Sequence, residues 1–407
     1  MNRYALKSYG ALIGTSMKEN SKNLIILFLT ITVVMLGFGI IIPIIPFLIK
    51  SFGASGLALG QLMALYSIMQ FIFAPIWGAL SERYGRKPIL IIGVVGNALS
   101  HLGFALSTEL WMLFAARALA GTLSSATLPT AMAYIGDSTS DKDRGGGMGQ
   151  LAAAMGLGMI IGPGLGGWMA EISYSMPFFL AAGLSTLALL PILIFLPESL
   201  PTSSRSQRKI GSIAQQFRDM GQALLGPMAF LLVLAFLLDL GLWIFEGVFG
   251  LFALEYYDFS PKDIGNVLVM AGVIGVVMQG FLSGPLTRKF GEPAVIKLSL
   301  FLSALAFVLM LWPKTTPGIM ITVGCFVICN SLLRPSISAY ISKTATCGQG
   351  EAMGLNNSFM GLGRIAGPIL GGLLFDLDVT YPYLFGGAIM LSTFFACLIW
   401  LKEKESS

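Results

Sequence analysis

Twelve apolar segments of membrane-spanning length follow one another along this 407-residue chain, and they leave few options for its fold. They begin near Leu24, Leu59, Ile89, Leu110, Gly147, Met176, Pro227, Ile264, Ala294, Gly318, Ala352 and Tyr381. A helix needs about 20 mostly apolar residues to cross a bilayer, where it satisfies its own backbone hydrogen bonds. With 55% hydrophobic and 11% charged residues, the composition excludes a soluble globular protein. We therefore predict an all-α membrane protein with twelve transmembrane helices.

The distribution of positive charge predicts which loops face the cytoplasm. Lys and Arg are concentrated at the N-terminus and after the even-numbered spans, as in Arg83, Arg86 and Lys87. Short loops rich in these residues stay in the cytoplasm. We expect both termini to be cytoplasmic. The net charge of +5 then reflects membrane topology, and we predict no nucleic-acid partner.

The sequence repeats itself at about half its length. Residues 78–85 recur as residues 284–291, at an offset of 284 − 78 = 206, and residues 161–167 recur as residues 366–372, at 367 − 162 = 205. Two six-span halves in the same order indicate a duplication, and such folds bind substrate near the midplane between the halves. The predicted divisions are a cytoplasmic N-terminal segment (1–23), a six-helix bundle (24–197), a cytoplasmic linker (198–225), a second six-helix bundle (226–401) and a cytoplasmic tail (402–407).

Two carboxylates interrupt the seventh span, residues 227–254. Asp239 and Glu246 are seven residues apart, so a helix places them on one face, together with Trp243 and Phe249. An acid at membrane depth costs about 2.5 to 3.5 kcal/mol on insertion scales and normally faces a polar interior, which makes each a candidate functional group. The alternative is an acid neutralised by a basic neighbour for structural reasons alone.

Polar side chains also interrupt other spans. Arg117 lies inside the fourth span and Arg334 in the tenth; an intramembrane cation takes part either in transport or in a pairing that holds helices together. His101 is the only histidine, and we interpret it as a packed polar residue. The candidate residues for a substrate cavity, besides Trp243 and Phe249, are Tyr66, Gln70, Asn330 and Ser331.

The loop between the second and third spans carries the strongest local pattern. It combines glycines, which allow a tight turn, with charges that can pair at the membrane face. Its members are Gly78, Glu82, Arg83, Gly85, Arg86 and Lys87. This spacing resembles the signature of the major facilitator superfamily, which usually has Asp in place of Glu82. A solvated basic loop is the alternative.

The fifth span has a second pattern, consisting of Gly158, Gly162, Pro163, Gly166 and Gly167. It resembles the pattern carried by antiporters of that superfamily, which implies export. Glycine at this density is also a helix-packing motif. Arg117 is similar to the span-four arginine that the superfamily links to proton transfer.

The second half narrows the resemblance. Residues 245–265, 332–343 and 354–383 are similar to the proton-coupled multidrug efflux antiporters of the Bmr and NorA type in Gram-positive bacteria. This resemblance implies an inner-membrane exporter of lipophilic cations, with Glu246 in cation recognition and proton coupling. Those proteins have a second acid three residues before the arginine that Arg334 matches, where this chain has Ser331. Either Asp239 supplies that carboxylate from the seventh span, or its presence is unrelated.

Other classes of function find little support. The sequence has no GxxxxGK[ST] nucleotide loop and no nucleophile–base motif, and its four cysteines lack CxxC spacing. We predict no catalytic residues, no metal and no cofactor, with a proton gradient as the energy source. The expected partners are small-molecule substrates, protons and membrane lipid, and we expect a monomer. A narrower exporter of a sugar, an amino acid or a lipid metabolite remains the alternative.

Overall fold

The computed structural model describes residues 3–140, 143–205, 213–313, 315–345 and 347–401, with side chains from residue 21 onward. The predicted tail (402–407) and residues 206–212 of the predicted linker lie outside the described part. The helices are α1 (Arg3–Ser51), α2 (Gly56–Tyr84), α3 (Arg86–Ala105), α4 (Leu110–Leu123), α5 (Thr127–Ser138), α6 (Arg144–Ala170), α7 (Met176–Phe195), α8 (Ile213–Ala223), α9 (Ala229–Tyr257), α10 (Pro261–Val277), α11 (Ser283–Phe290), α12 (Glu292–Leu309), α13 (Thr316–Asn330), α14 (Leu333–Thr344), α15 (Gln349–Leu377) and α16 (Tyr381–Trp400).

Eleven of the described helical segments are long and apolar enough to cross a membrane, and each begins within three residues of a predicted start. Two of them join a pair of helices: α10 continues into α11 through a π-helical turn, and α13 continues into α14. The chain is therefore a multi-pass membrane protein. Between the bundles, α8 makes part of the predicted linker helical.

The fourth predicted span is not one continuous helix. A 3₁₀ turn, Ser124–Ala126, separates α4 from α5. The Ser125 hydroxyl donates to the Thr122 carbonyl oxygen at 2.9 Å, and such bonds to the preceding turn bend helices. The hydropathy of the segment predicts the length of the span. The span is divided because a side-chain hydroxyl takes a backbone carbonyl oxygen as its hydrogen-bond acceptor.

Matching helix crossings relate the two halves. A Cβ built on Gly60 of α2 would lie 2.1 Å from the carbonyl oxygen of Pro368 in α15, and one on Gly265 of α10 would lie 2.6 Å from that of Pro163 in α6. The two contacts are equivalent by the sequence repeat: the glycines are 265 − 60 = 205 residues apart, and the prolines are 368 − 163 = 205 residues apart. Backbones this close leave room only for glycine. The predicted duplication is therefore confirmed in the packing.

Polar contacts join the halves at one end of the bundle, the end of the α1–α2 loop, called here the short-loop side. Asp376 accepts hydrogen bonds from the backbone amides of Gly56 and Leu57 at 2.6 and 2.8 Å. Lys50 forms an ion pair with Glu255 at 2.9 Å. The opposite end, which carries the α2–α3 loop and the linker, is called the linker side. The contacts close the halves against each other on the short-loop side.

Candidate functional site

The centre of the second half is an ion-paired carboxylate. Asp239 lies on α9 and accepts hydrogen bonds from Arg334 Nε and Nη2 at 2.7 and 2.8 Å, and Arg364 Nε on α15 lies 3.7 Å from its Oδ2. Gly363 permits this approach, because a Cβ there would lie 2.8 Å from Asp239 Cβ. The Asp239 side chain is 0% exposed. The contacts match the structural alternative, an acid neutralised by basic neighbours, and they also attach this acid to the tenth-span arginine.

Glu246 lies two turns further along α9 and is held differently. It is half-buried and makes no hydrogen bond or ion pair with the described residues. Asp239, Arg334 and Arg364 all act on it electrostatically. The two carboxylates of one helix are therefore unequal: one is bonded and enclosed, and the other is free to accept a partner.

The two aromatic residues expected beside these acids lie in different surroundings. The Cβ atom of Trp243 lies against Gly367 of α15. The indole N–H of Trp243 is buried and has no hydrogen-bond partner among the described residues. Phe249 is buried against Phe245, at 5.0 Å between ring centroids, in the aromatic core of the second half. The structure therefore places Phe249 in the core and not in a cavity. Phe249 follows Glu246 by three residues, so the two side chains point about 60° apart around the helix axis, and this difference turns Phe249 into the core.

The centre of the first half holds a cation with no acid beside it in the described part of the chain. Arg117 on α4 is 1% exposed. Its guanidinium lies 5.0 Å from the Tyr66 ring centroid and 5.7 Å from that of Phe38, and its Nη2 lies 3.2 Å from the Met63 sulfur. Its Nε and Nη1 have no hydrogen-bond partner among the described residues. Aromatic faces stabilise a cation by about 2 kcal/mol when desolvated, so packing holds this charge in place of an ion pair.

The remaining candidates of the cavity are dispersed. Gln70 lies one turn from Tyr66 on α2 and is half-buried. The amide nitrogen of Asn330 is buried and has no partner among the described residues. The Ser331 hydroxyl faces Gly275 of α10, at 3.7 Å from a Cβ built there. His101 is buried and stacked on Phe178, as expected for a packed polar residue.

In the loop pattern, the two arginines have different roles. Arg86 is buried and donates to Asp137 at 2.8 Å and to the Ser81 hydroxyl at 2.6 Å, whereas Arg83 is exposed and lies over the adjacent Tyr84 ring. The backbone amides of Arg86 and Lys87 donate to Glu198 at 2.8 and 3.2 Å. A carboxylate at a helix N-terminus is favourable, so Glu198 caps α3.

The two glycines of the loop pattern also have different structural roles. Gly85 has φ +107°, which a residue with a side chain rarely adopts, and it ends α2. Gly78 lies inside α2 with open space around it, so it makes no turn. Glu82 is half-buried on the same helix. Of the two glycines of the signature, only Gly85 allows the expected turn.

The fifth-span glycines pack against two helices. Built Cβ atoms on Gly158, Gly162 and Gly166 would lie 2.5 to 2.6 Å from backbone or Cβ atoms of α1. Gly167 approaches the carbonyl oxygen of Pro261 in α10, at 2.3 Å from its built Cβ, and Pro163 also faces α10. The pattern therefore serves close packing both within the first half and across to the second.

Three residues of these networks did not emerge from the sequence. Asp137 and Glu198 stand at the membrane face, where charge is ordinary and carries no signal. Arg364 did carry a signal, because it is a lone charge in an apolar span, as Arg117 is.

The helical fold, its duplicated halves and the charged groups buried within each half are typical of a membrane transporter. The family model described as Major Facilitator Superfamily matches residues 27–346 and 231–407, and the chain belongs to that family. The expectation of a transporter and not an enzyme is confirmed by this membership.

Among its relatives, Multidrug resistance protein 2 of Bacillus subtilis (strain 168) is 35% identical over 396 residues, which cover 96% of this chain and 98% of that protein. Quinolone resistance protein NorA of Staphylococcus aureus (strain COL) is 29% identical over 386 residues, or 95% and 97% of the two chains. The nucleoside transporter NupG superposes with a TM-score of 0.78 at 16% identity, over 93% of this chain and 100% of its own. NupG supports the fold alone. The first two confirm the resemblance to multidrug exporters.

Proposed function

We propose that this chain exports lipophilic cationic compounds in exchange for protons. The names of its relatives, multidrug and quinolone resistance proteins, support drug export. We place it in the inner membrane of a bacterium as a monomer, with the linker side and both termini in the cytoplasm, because the linker side carries the basic loops. The two bundles of the proposal are residues 24–197 and 226–401.

The observation that carries the proposal is the free carboxylate of Glu246. An ionised acid at membrane depth attracts a cation, and a proton competes for the same oxygens. The Trp243 ring, one turn away on α9, adds an aromatic face for the cation. Substrate and proton therefore exclude each other at Glu246, which is the requirement for their exchange.

The two halves supply alternating access. The contacts of Asp376, Lys50 and Glu255 close the short-loop side in this structure, and opening that side requires their rupture. The glycine crossings between α2 and α15 and between α6 and α10 keep the halves in contact along smooth surfaces. On the linker side, the Arg86–Asp137 pair stabilises the loop between α2 and α3, and we assign the loop to switching and not to binding.

The other candidates take supporting places in this proposal. We assign Tyr66, Gln70, Asn330 and Ser331 to contacts with the substrate, and Arg117 and Arg334 to proton coupling. We propose that Asp239 replaces the acid absent at Ser331, because it is bonded to the arginine that follows that position by three residues.

The test is Glu246→Gln, which keeps the shape of the side chain and removes its charge. In proteoliposomes, a pH gradient should drive tetraphenylphosphonium transport by the wild type, and the variant should fall to the rate of empty liposomes. The affinity for the cation should fall about tenfold or more, since a bond to a charged group contributes about 1.5 to 3 kcal/mol.

Glu109→Gln is the matched control, because Glu109 is an exposed glutamate at the start of α4. It should transport like the wild type. Full gradient-driven transport by Glu246→Gln, in protein that is correctly inserted, would remove Glu246 from the coupling mechanism.

A further inference from the structure

The ion-paired group of the second half presents cations, and not its acid, to the space at membrane depth. The Asp239 side chain is 0% exposed, whereas the side chains of Arg334 and Arg364 are 37% and 32% exposed. A molecule that enters between the halves therefore meets two guanidinium groups in front of an enclosed carboxylate.

The groups in direct contact do not balance in charge. Two guanidinium groups share the carboxylate of Asp239, which leaves a net charge of +1 on this contact group, while Glu246 acts on both arginines but forms no ion pair with either. Each guanidinium has five N–H donors, and Arg334 directs two of its nitrogens to Asp239. Donors on both arginines remain for another acceptor. Uncompensated charge at membrane depth is unfavourable, and a carboxylate is the acceptor that fits guanidinium geometry best.

Arg117, the cation of the first half, is not an equivalent site. Its free Nε and Nη1 atoms are enclosed by side chains and have almost no accessible surface. Arg364, by contrast, is partly exposed and acts electrostatically on Tyr66 of the first half. The accessible positive charge therefore belongs to the pair Arg334–Arg364, which faces the boundary between the halves.

We propose that Arg334 and Arg364 form an anion subsite, and that this chain prefers zwitterionic amphiphiles whose amine contacts Glu246 and whose carboxylate contacts the arginine pair. Asp239 and Glu246 are seven residues apart, about 10 Å along the helix, a span that a drug-sized molecule bridges. This inference rests on the proposed function, because the amine is the part that exchanges with the proton.

The experiment compares two dyes that differ by one group: a rhodamine with a free carboxyphenyl acid and the methyl ester of the same dye. Binding of each to the purified full-length protein is measured by fluorescence anisotropy. The wild type should bind the acid more tightly than the ester. Arg364→Gln should reduce this preference about tenfold, since it removes a charge-assisted hydrogen bond. Arg364→Lys should retain part of the preference, because it keeps the charge.

Arg364 is the better position to change, because Asp239 keeps its two bonds to Arg334 and remains paired. Arg288→Gln removes an exposed arginine at the linker side and should leave the preference as in the wild type. A measurement without variants adds a second readout: naphthalenesulfonate should displace the acid from the wild type more effectively than it displaces the ester.

The outcomes separate this inference from the proposed function. If the wild type binds both dyes equally, or if Arg364→Gln keeps the preference for the acid, the anion subsite is wrong, whatever the transport of tetraphenylphosphonium shows. If a pH gradient does not drive tetraphenylphosphonium transport, the exchange mechanism is wrong, and a preference for the acid that depends on Arg364 would still establish the subsite.

Discussion

The two halves share their helix crossings but treat buried charge in opposite ways. In the first half, Arg117 is held by rings and a thioether and has no acid beside it among the described residues. In the second half, Asp239 is enclosed by two arginines, and Glu246 stands free on the same helix. Duplication reproduced the backbone packing, while the polar interior diverged. One half therefore supplies a fixed cation and the other supplies the groups that can exchange partners.

The linker side shows a similar inversion. In the first half, Arg86 at the start of α3 pairs with Asp137; in the second, Glu292 at the start of α12 pairs with Lys343. The positions correspond, since 292 − 86 = 206 and 343 − 137 = 206. The repeat thus preserved an ion pair and exchanged its signs.

The largest difference in stability is expected between two variants, each of which lacks the buried arginine of one half. Arg334→Met leaves Asp239 buried with only Arg364 beside it, and should lower the free energy of unfolding by about 3 kcal/mol. Arg117→Met removes a buried charge on which no described acid depends, and should leave stability unchanged or raise it by about 1 to 4 kcal/mol. Thermal unfolding of the purified variants in detergent measures both.

The double variant Arg334→Met with Asp239→Asn should recover part of the loss, because the uncompensated acid is gone. A greater loss of stability in Arg117→Met than in Arg334→Met would mean that the first half also depends on an ion pair.

A smaller effect should come from the glycines that are common to both halves. Gly60→Ala and Gly265→Ala would each place a Cβ against a carbonyl oxygen of the opposite half, and each should cost about 1 to 3 kcal/mol. Both should also weaken closure of the short-loop side, which distances between spin labels on the two halves can measure.

Gly183→Ala in α7 is the matched control, since a Cβ there meets nothing within 4 Å. It should be neutral or slightly stabilising. If only one of the two crossing variants is destabilised, the crossings are not equivalent and the symmetry of the packing is incomplete.

The smallest effects should come from the inverted ion pairs. Arg86→Ala breaks a buried network and should cost about 1 to 2 kcal/mol and slow the interconversion of the two access states. Lys343→Ala removes a side chain that is 66% exposed and should cost about 1 kcal/mol or less. Unfolding temperatures and single-turnover transport rates measure the two effects.

Arg83→Ala serves as the control for Arg86, because Arg83 is an exposed arginine in the last turn of α2, three residues before Arg86. Substrate affinity should stay near the wild-type value in all three variants. A large loss of affinity with normal interconversion would place the loop in the binding site.

The sequence alone determined the spans, the duplication and the depth of the charged residues, because hydropathy and repeats are properties of the linear chain. Eleven spans begin within three residues of their predicted starts, and the 205-residue offset recurs in the helix crossings at Gly60 and Gly265. The break within the fourth span depended on hydroxyl bonds to backbone carbonyls, which hydropathy does not measure.

Which acid is paired and which is free depends on contacts between helices that are distant in the sequence. Asp239 meets Arg334 across 95 residues and Arg364 across 364 − 239 = 125 residues, on three different helices. Periodicity predicts that Asp239, Glu246 and Phe249 lie on similar sides of α9, but it does not determine which neighbouring helix each side chain meets. That depends on how α9, α14 and α15 pack together, and the packing turned Phe249 into the core and enclosed Asp239 while leaving Glu246 free.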